Sequence, residues 1–273
     1  MINRLTTRNQ VYSENKTMAE KHYNIDYLSE TMKLLQGVKH KSYTYLESTP
    51  DGGTIVDLGC GTGQDLCHMA RAFQGNNLHF IGIDHDPKMI SKAKELIETD
   101  NNVEFFVGDA LHLPLDDEAV GGIRMERLVQ HIAKPAALFK EVYRVVKIGG
   151  RAVIVESDWK SISFYNGNLS VSDKLNNYLS TKKVNNGKAA QSLTTYLRNI
   201  GFREITLEVT PFVLSSYNDA CTYLWIDKMI AEMLTLDLIT QAEHDDFVAA
   251  QKYADEQGFF SCSMNIVVVS GVK

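Results

Sequence analysis

The first predicted strand ends in a short acidic and glycine-rich segment, Val56-Asp57-Leu58-Gly59-Cys60-Gly61-Thr62-Gly63. Glycines at a strand end let a ligand approach the backbone where the chain turns into a helix. The dinucleotide-binding pattern G-x-G-x-x-G would need a third glycine at Gln64. The carboxylate of Asp57 would repel a pyrophosphate and attract a cationic amino-acid group. We therefore expect this glycine turn (residues 57–63), with Asp57, Gly59, Cys60 and Gly61, to bind a ligand that carries an ammonium group. The alternative is a glycine-rich turn without a ligand.

A second acid, Asp84, ends the next predicted strand, in Gly82-Ile83-Asp84-His85-Asp86-Pro87. A carboxylate at that place suits a ribose diol, because each of its oxygens can accept one hydroxyl hydrogen. The alternative is a helix N-cap for the helix that begins at Pro87, but Asp86 fits that cap better and leaves Asp84 free. We assign Asp84 and the adjoining His85 to the ligand site.

A third acid follows the third predicted strand, in Gly108-Asp109-Ala110. The carboxylate of Asp109 can accept a hydrogen bond from an adenine amino group. The tripeptide alone is common in turns, so its value lies in its order and spacing with the glycine turn and Asp84.

The ordered set D-x-G-x-G-x-G, then Asp84, then Gly108-Asp109-Ala110 resembles the class I S-adenosylmethionine-dependent methyltransferases. The resemblance is firm over residues 50–160 and weak beyond them. It implies that the glycine turn contacts the methionine part of the cofactor, S-adenosyl-L-methionine. It further implies that Asp84 holds the ribose and that Asp109 with Ala110 faces the adenine.

The segment after the fourth predicted strand, Arg124-Met125-Glu126-Arg127-Leu128-Val129-Gln130-His131-Ile132, is similar to a segment of one group of these enzymes. That group is the bacterial small-molecule methyltransferases akin to the ubiquinone/menaquinone C-methyltransferases. In them this stretch lies beside the methionine end of the cofactor. Glu126 could therefore hold the methionine ammonium group. Arg127 could meet the methionine carboxylate, or it could pair with Glu126.

Two residues are candidates for catalysis, His131 and Asp158. Methyl transfer is an in-line displacement at the sulfonium carbon, so alignment and exclusion of water supply most of the catalysis. A base is needed only if the acceptor must lose a proton, and histidine titrates near neutral pH. His131 could instead hydrogen-bond the cofactor or the backbone. Asp158 lies in Glu156-Ser157-Asp158-Trp159, which resembles an E-P-D-W segment, and it could reach the acceptor or be an exposed loop acid. No cluster of residues demands a metal.

Alternation of short apolar strands with helical segments predicts a doubly wound α/β fold. We expect a seven-stranded, mostly parallel sheet with helices on both faces, a Rossmann-like arrangement. The predicted strands are 54–58, 78–83, 103–107, 119–125, 152–156, 203–209 and 265–269. The predicted helices include 62–73, 87–98, 135–147 and 189–200.

One methyltransferase domain, residues 1–273, is the simplest organisation. We divide it into an N-terminal helical cap, a cofactor-binding core, an acceptor-side half, a helical insertion and a last strand; these are residues 1–50, 51–160, 161–210, 211–258 and 259–273. Two capping-box patterns, Ser216-x-x-Asp219 and Thr240-x-x-Glu243, predict helices in the insertion. An apolar row there, from Tyr223 to Leu234, fits packing better than a substrate wall. With Tyr12 and Tyr23, the insertion could nevertheless cap the acceptor cleft.

Composition restricts the class of acceptor. The 273 residues carry a formal net charge of −6 and no dense run of lysine and arginine, which argues against a nucleic-acid substrate. The 4 cysteines have no zinc spacing, and the sequence has neither a signal peptide nor an apolar stretch long enough to span a membrane. We expect a cytoplasmic protein with a small-molecule acceptor, no nucleic-acid or membrane partner, and leave a homodimer open.

Three functions remain open from the sequence. The first is methyl transfer to an O, N or C nucleophile of a small molecule. The second is methylation of RNA or protein, which would need a charged docking face. The third is adenosylmethionine binding without methyl transfer. The identity of the acceptor lies beyond the sequence.

Overall fold

The computed structural model describes residues 34–50, 52–95, 102–166 and 169–273. Most of the predicted N-terminal cap, including Tyr12 and Tyr23, lies outside the described residues. The described part of the cap contains helix α1 (Gln36–Thr44). Within the described residues, no helix is both long and apolar enough to cross a membrane.

Strands and helices alternate along the chain from residue 54. The strands are β1 (Thr54–Leu58), β2 (His79–Asp84), β3 (Val103–Val107), β4 (Val120–Glu126), β5 (Val146–Phe164), β6 (Arg203–Leu214) and β7 (Cys262–Val272). The helices after α1 are α2 (Gln64–Ala72), α3 (Pro87–Glu95), α4 (Pro135–Val145), α5 (Leu169–Tyr178), α6 (Ala189–Ile200), α7 (Tyr217–Leu224), α8 (Ile226–Thr235) and α9 (Gln241–Glu256). A short 3-10 turn, Val129–His131, follows β4.

The seven strands form a single sheet in the order β3-β2-β1-β4-β5-β7-β6. The pairs β1–β2, β1–β4, β2–β3 and β4–β5 are parallel, whereas β7 is antiparallel to both β5 and β6. The predicted doubly wound fold with a mostly parallel sheet is confirmed. β6 is the outermost strand of the described sheet, and it exposes Leu207, Val209 and Val213 to solvent.

Helices cover both faces of the sheet, so both faces are buried and the central strands are mostly apolar, with Asp57 in β1 and Arg124 in β4 as buried charged exceptions. One apolar core includes side chains of α4 and α6, among them Leu138, Phe139 and Leu193. The other includes side chains of α1, α2 and the insertion, among them Tyr43 and Met233. Burial of Met229, Ile230 and Met233 in this second core supports the packing interpretation of the apolar row.

Several element boundaries differ from the sequence prediction. β5 begins at Val146 and continues to Phe164, because it pairs with β4 at its start and with β7 along much of its length. β6 continues through Pro211 to Leu214, so residues 211–214 belong to the sheet rather than to the helical insertion. α2 begins at Gln64 rather than at Thr62, since Gly63 has φ +76° and cannot be helical.

Local signals at helix ends agree with the structure. Ser216 Oγ accepts the Asp219 N–H at 3.4 Å, and Thr240 forms the complete capping box with Glu243. Gly201 ends α6 with φ +115°. These devices act over three or four residues, which is why the sequence alone can reveal them.

Glycines make β4 accessible to the segment after α1. A Cβ on Gly122 would lie 2.7 Å from Leu46 Cδ2, and a Cβ on Gly121 would lie 2.7 Å from Thr49 Cγ2. These two glycines allow residues 46–49 to pack directly on the amino-terminal part of β4. Earlier in the chain, Lys39 of α1 reaches Glu126 at the carboxyl end of the same strand.

Candidate functional site

The candidate site lies at the carboxyl ends of the parallel strands. The chain builds the sheet outward from β1 in one direction through β2 and β3, and in the other through β4 and β5. The gap between β1 and β4 is the topological switch point, where ligands bind in open α/β sheets. The glycine turn follows β1, and Glu126 ends β4 at the same edge.

The glycines of the glycine turn carry no side chains that would cover its backbone. Gly59 has φ +76°, and a Cβ there would lie 3.1 Å from Leu128 Cδ1. The N–H groups of Gly59 and Cys60 both donate to the Ile83 carbonyl, at 2.7 and 3.1 Å, which ties the turn to β2. The Cys60 side chain is buried, and this burial holds the pKa of its thiol well above the usual range.

Asp84 links the glycine turn to β2. Its Oδ2 accepts the Gly61 N–H at 2.9 Å, and its Oδ1 accepts the Asp86 N–H at 2.9 Å. Asp86 in turn accepts the Lys88 N–H at 2.8 Å, as expected for the cap of α3. The prediction that capping by Asp86 leaves Asp84 free is therefore wrong, because both of its oxygens accept backbone amides. Oδ1 is also 3.2 Å from His85 Nδ1, but Oδ2 keeps a second lone pair, so Asp84 can still accept a hydrogen bond from a ligand.

His85 lies beside Asp84, with its Nδ1 3.2 Å from Asp84 Oδ1. Burial tends to raise the pKa of Asp84, but hydrogen bonds from His85 and from two backbone amides outweigh it and hold that pKa below the usual range. The hydrogen bond to Asp84 raises the pKa of His85. The carboxylate of Asp84 therefore stays ionised at neutral pH and acts as a hydrogen-bond acceptor.

Asp109 follows β3 at the same edge. It accepts the Leu111 N–H at 2.9 Å, and its Oδ2 lies 3.0 Å from His112 Nδ1. Ala110, between Asp109 and Leu111 in the chain, is partly buried. His112 has no sequence pattern that singles it out, yet it orients the Asp109 carboxylate.

Five charged side chains meet beside the ends of β1 and β4. Arg124 Nη1 lies 3.3 Å from Asp57 Oδ1 and 3.8 Å from Asp65 Oδ2, and Nη2 donates to Glu126. Lys39 Nζ lies 2.6 Å from Asp65 Oδ2 and 2.7 Å from Glu126 Oε1. We call Lys39, Asp57, Asp65, Arg124 and Glu126 the charge cluster.

Helix α1 contributes two more contacts to the charge cluster. Ser42 Oγ accepts a hydrogen bond from Arg124 Nε at 3.0 Å, and the Tyr43 hydroxyl donates to Asp65. The Tyr43 ring lies 5.1 Å from Arg124 Cζ. The cluster thus joins α1, β1, α2 and β4, segments that are distant in sequence.

The charge cluster is deeply buried. Arg124 is 0% exposed, Asp57 3% and Lys39 4%. Burial raises the pKa of Asp57 to about 7, although the Arg124 guanidinium lowers it. Burial also acts to raise the pKa of Asp65, but Arg124 and Lys39 outweigh it and hold that pKa below the usual range. Within the charge cluster, Asp57 contacts Arg124, whereas Asp65 and Glu126 contact both Arg124 and Lys39.

Arg127 directly follows β4 in a left-handed conformation, with φ +51°. Its backbone N–H donates to Val155 O at 2.8 Å, and its Nε lies 3.5 Å from Glu126 Oε1. This geometry fits pairing with Glu126, one of the two roles expected for Arg127. A left-handed arginine at this edge is a strained feature of the kind that clusters at functional sites.

The turn after β4 is fixed through Gln130, which is 1% exposed. Its side-chain oxygen accepts the Trp159 Nε1–H, and its backbone N–H donates to Glu156 Oε1 at 3.2 Å. The other Glu156 oxygen is buried without a hydrogen-bond partner among the described residues, and burial raises the pKa of Glu156 to about 8. Since Gln130 faces inward, His131 is left on the exposed side of the turn.

Asp158 is not an exposed loop acid, because it lies within β5 and is 9% exposed. Its Oδ1 accepts the Lys160 N–H at 3.1 Å, and the Gln191 side chain lies 3.4 Å from both carboxylate oxygens. The structure thus places the predicted residues at one sheet edge but gives most of them partners within the protein.

Comparison with known proteins agrees with this geometry. Residues 55–150 match a protein family described as a methyltransferase domain. The chain is 31% identical over 226 residues to an uncharacterized 37.1 kDa protein of transposon TN4556 from Streptomyces fradiae, covering 82% of this chain and 63% of that protein. It is 30% identical over 140 residues to the demethylmenaquinone methyltransferase of Bacillus licheniformis, covering 50% of this chain and 60% of that enzyme. The chain spans less than two thirds of the length of these relatives.

A similar fold occurs in the phosphoethanolamine N-methyltransferase 2 of Haemonchus contortus, solved in complex with S-adenosyl-L-methionine. The TM-score is 0.60 at 19% identity, covering 93% of this chain and 58% of that one. This likeness concerns the fold alone. Together with the matched domain, it confirms the resemblance to class I methyltransferases over the core of the chain.

Proposed function

We propose, on the premise that residues 55–150 form a methyltransferase domain, that the chain transfers a methyl group from S-adenosylmethionine to a small-molecule acceptor. One observation carries the proposal. The glycine turn, Asp84 and Asp109 follow β1, β2 and β3 at a single sheet edge, beside the switch point between β1 and β4. That order suits, in turn, the amino-acid, ribose and adenine parts of the cofactor.

The residues at this edge fit adenosylmethionine by their chemistry. Asp84 retains a lone pair on Oδ2 for a ribose hydroxyl, and Asp109 with Ala110 would receive the adenine. The backbone of Gly59 and Gly61 would contact the methionine part, where Glu126 would meet the ammonium group and Arg127 the carboxylate. When bound, the cofactor supplies an electrophilic methyl group on its sulfonium. The protein's own contribution is to align that group with an acceptor and to exclude water.

A small-molecule acceptor is supported by the net charge of −6 and by the similarity to a demethylmenaquinone methyltransferase. The helices of the insertion would cap the acceptor, with Asp158 as a polar group beneath them. We include a cytoplasmic location in the proposal and leave open both a homodimer and the choice among O-, N- and C-methylation.

Binding of adenosylmethionine is the first expected result. Isothermal calorimetry should show binding of adenosylmethionine and adenosylhomocysteine and none of NAD, because Gln64 stands where the pyrophosphate-binding pattern needs its third glycine. Methyl-labelled cofactor incubated with the protein and a cell extract should then place label in the small-molecule fraction. NAD binding without adenosylmethionine binding would contradict the proposal, and label in RNA or protein would contradict the acceptor class.

His131 is expected to bind the cofactor rather than to act as a general base. Since methyl transfer to an acceptor that is already nucleophilic needs no base, His131→Ala should mainly remove one hydrogen bond. We expect the Kd for adenosylmethionine to rise by about 5- to 10-fold. Saturating cofactor should restore most of the turnover.

The control for this variant is His244→Ala on α9, which should change neither the Kd for adenosylmethionine nor the turnover. A general base at His131 would give a different pattern. Turnover of His131→Ala would then fall by about 10²–10⁴-fold at saturating cofactor, and the acidic limb of the pH–rate profile would disappear. That outcome would contradict the assignment as a cofactor ligand.

A further inference from the structure

The ammonium group of Lys39 is held by two carboxylates inside the protein. Its Nζ lies 2.6 Å from Asp65 Oδ2 and 2.7 Å from both oxygens of Glu126. An ammonium group has three N–H donors, so these contacts satisfy all of them. Lys39 is 4% exposed. Asp65 and Glu126 thus already form a complete binding site for a primary ammonium ion.

This ammonium site lies where the amino-acid part of a ligand is expected. Glu126 ends β4 at the switch point, and Asp65 lies in the first turn of α2, directly after the glycine turn. The other cation of the charge cluster, Arg124, projects from within β4 and is 0% exposed. Lys39, in contrast, comes from α1, which lies outside the sheet, so its movement breaks no strand pairing, although it does break the hydrogen bonds of Ser42 to Arg124 and of Tyr43 to Asp65.

The packing of α1 leaves room for such a movement. A cavity of about 310 Å³ separates α1 from β6 and β7, and its lining includes Leu35, Val38, Phe212 and Ile266. The cavity adjoins the side of α1 that carries Val38, next to Lys39 in the chain. A shift of α1 into this space would withdraw the Lys39 ammonium from the two carboxylates.

We propose that Asp65 and Glu126 form the ammonium subsite of the cofactor pocket, and that Lys39 competes with the α-ammonium group of the cofactor for it. The inference rests on the proposed function. Charge balance supports it, because the three carboxylates of the charge cluster face two cations, and withdrawal of Lys39 leaves Arg124 as the one cation of the cluster and so attracts another. Helix α1 would then act as a lid whose lysine must leave before the cofactor is fully bound.

The test is Lys39→Met, with binding measured by calorimetry for two ligands. The first is adenosylhomocysteine, and the second is its deamino analogue, in which hydrogen replaces the α-ammonium group. Loss of the internal competitor should tighten adenosylhomocysteine binding by about tenfold and leave the deamino analogue unchanged. Lys140→Met, the same change at an exposed position of α4, should alter neither affinity.

Other outcomes would overturn the proposal. If Lys39 instead contacts the ligand carboxylate, Lys39→Met should weaken both ligands, since both retain that carboxylate. If Lys39 only stabilises the fold, both affinities should change equally or not at all. Lys39→Gln provides a second uncharged variant if the methionine variant does not fold. Failure of the wild-type protein to bind adenosylhomocysteine would defeat the proposed function itself, whereas wild-type binding without tightening in the variants would defeat only this inference.

Discussion

Replacement of Arg124 by methionine is expected to lower the free energy of unfolding by about 3–5 kcal/mol. Methionine is close in length to the arginine stem, so the change mainly removes the guanidinium group. Asp57 would then remain buried without its cation, and Asp65 and Glu126 would each lose one of theirs. Stranding buried charges in this way costs much more than removing a surface ion pair. Urea denaturation followed by circular dichroism would measure the loss.

Two further variants make this prediction specific. Arg198→Met, an exposed position on α6, should change stability by no more than about 0.5 kcal/mol. The double variant Arg124→Met with Asp57→Asn should be more stable than Arg124→Met alone, since it removes one of the stranded carboxylates. A loss below about 1 kcal/mol in the single variant would mean that water reaches the cluster and that its ion pairs contribute little.

Asp84→Ala should weaken adenosylmethionine binding by about 1.5–3 kcal/mol, the usual contribution of hydrogen bonds to a charged group. The variant loses the carboxylate proposed for the ribose, and it also loses the acceptor of the Gly61 N–H that shapes the glycine turn. Both effects act at the ligand edge of the sheet, so the fold should persist. Calorimetry gives the affinity, and a thermal melt checks the fold.

Asp84→Asn separates the two effects. Asparagine keeps one oxygen for a backbone amide but presents an amide group to the ligand, so its affinity should fall between those of the wild type and the alanine variant. Asp116→Ala, an exposed acid on the loop before β4, is the matched control and should bind normally. Unchanged affinity in Asp84→Ala would remove the ribose assignment.

Local patterns account for the parts of the structure that the sequence reveals. The glycine turn, the Asp86 cap and the Thr240 capping box each depend on residues a few positions apart. The order of β1 to β5 follows from the alternation of strands and helices. The extent of β5, β6 and β7 could not be predicted in the same way, because their ends are set by antiparallel pairing between segments far apart in sequence.

The charge cluster is the part of the site that could not be predicted from the sequence. Lys39, Asp65 and Arg124 lie in three segments whose proximity depends on the folded sheet. Lys39 and Asp65 belong to no recognisable motif, and Arg124 begins the segment 124–132 without a role that the sequence assigns to it. One signal was present in the sequence: Arg124 lies between Ile123 and Met125 in an otherwise apolar strand. A charged side chain in a buried strand requires partners of opposite charge, but the sequence does not identify which acids supply them.

The outermost strand, β6, affects the tendency of the protein to aggregate at high concentration. An edge strand with exposed Leu207, Val209 and Val213 is a template on which further strands can add and build aggregates. Pro211 lacks a main-chain N–H, a feature of edge strands that avoid such pairing. Glu204 and Glu208 on the same strand would also bring like charges together when two copies align. β6 therefore carries gatekeeper residues that oppose intermolecular sheet growth, and Pro211→Val is the change that would most directly weaken that protection.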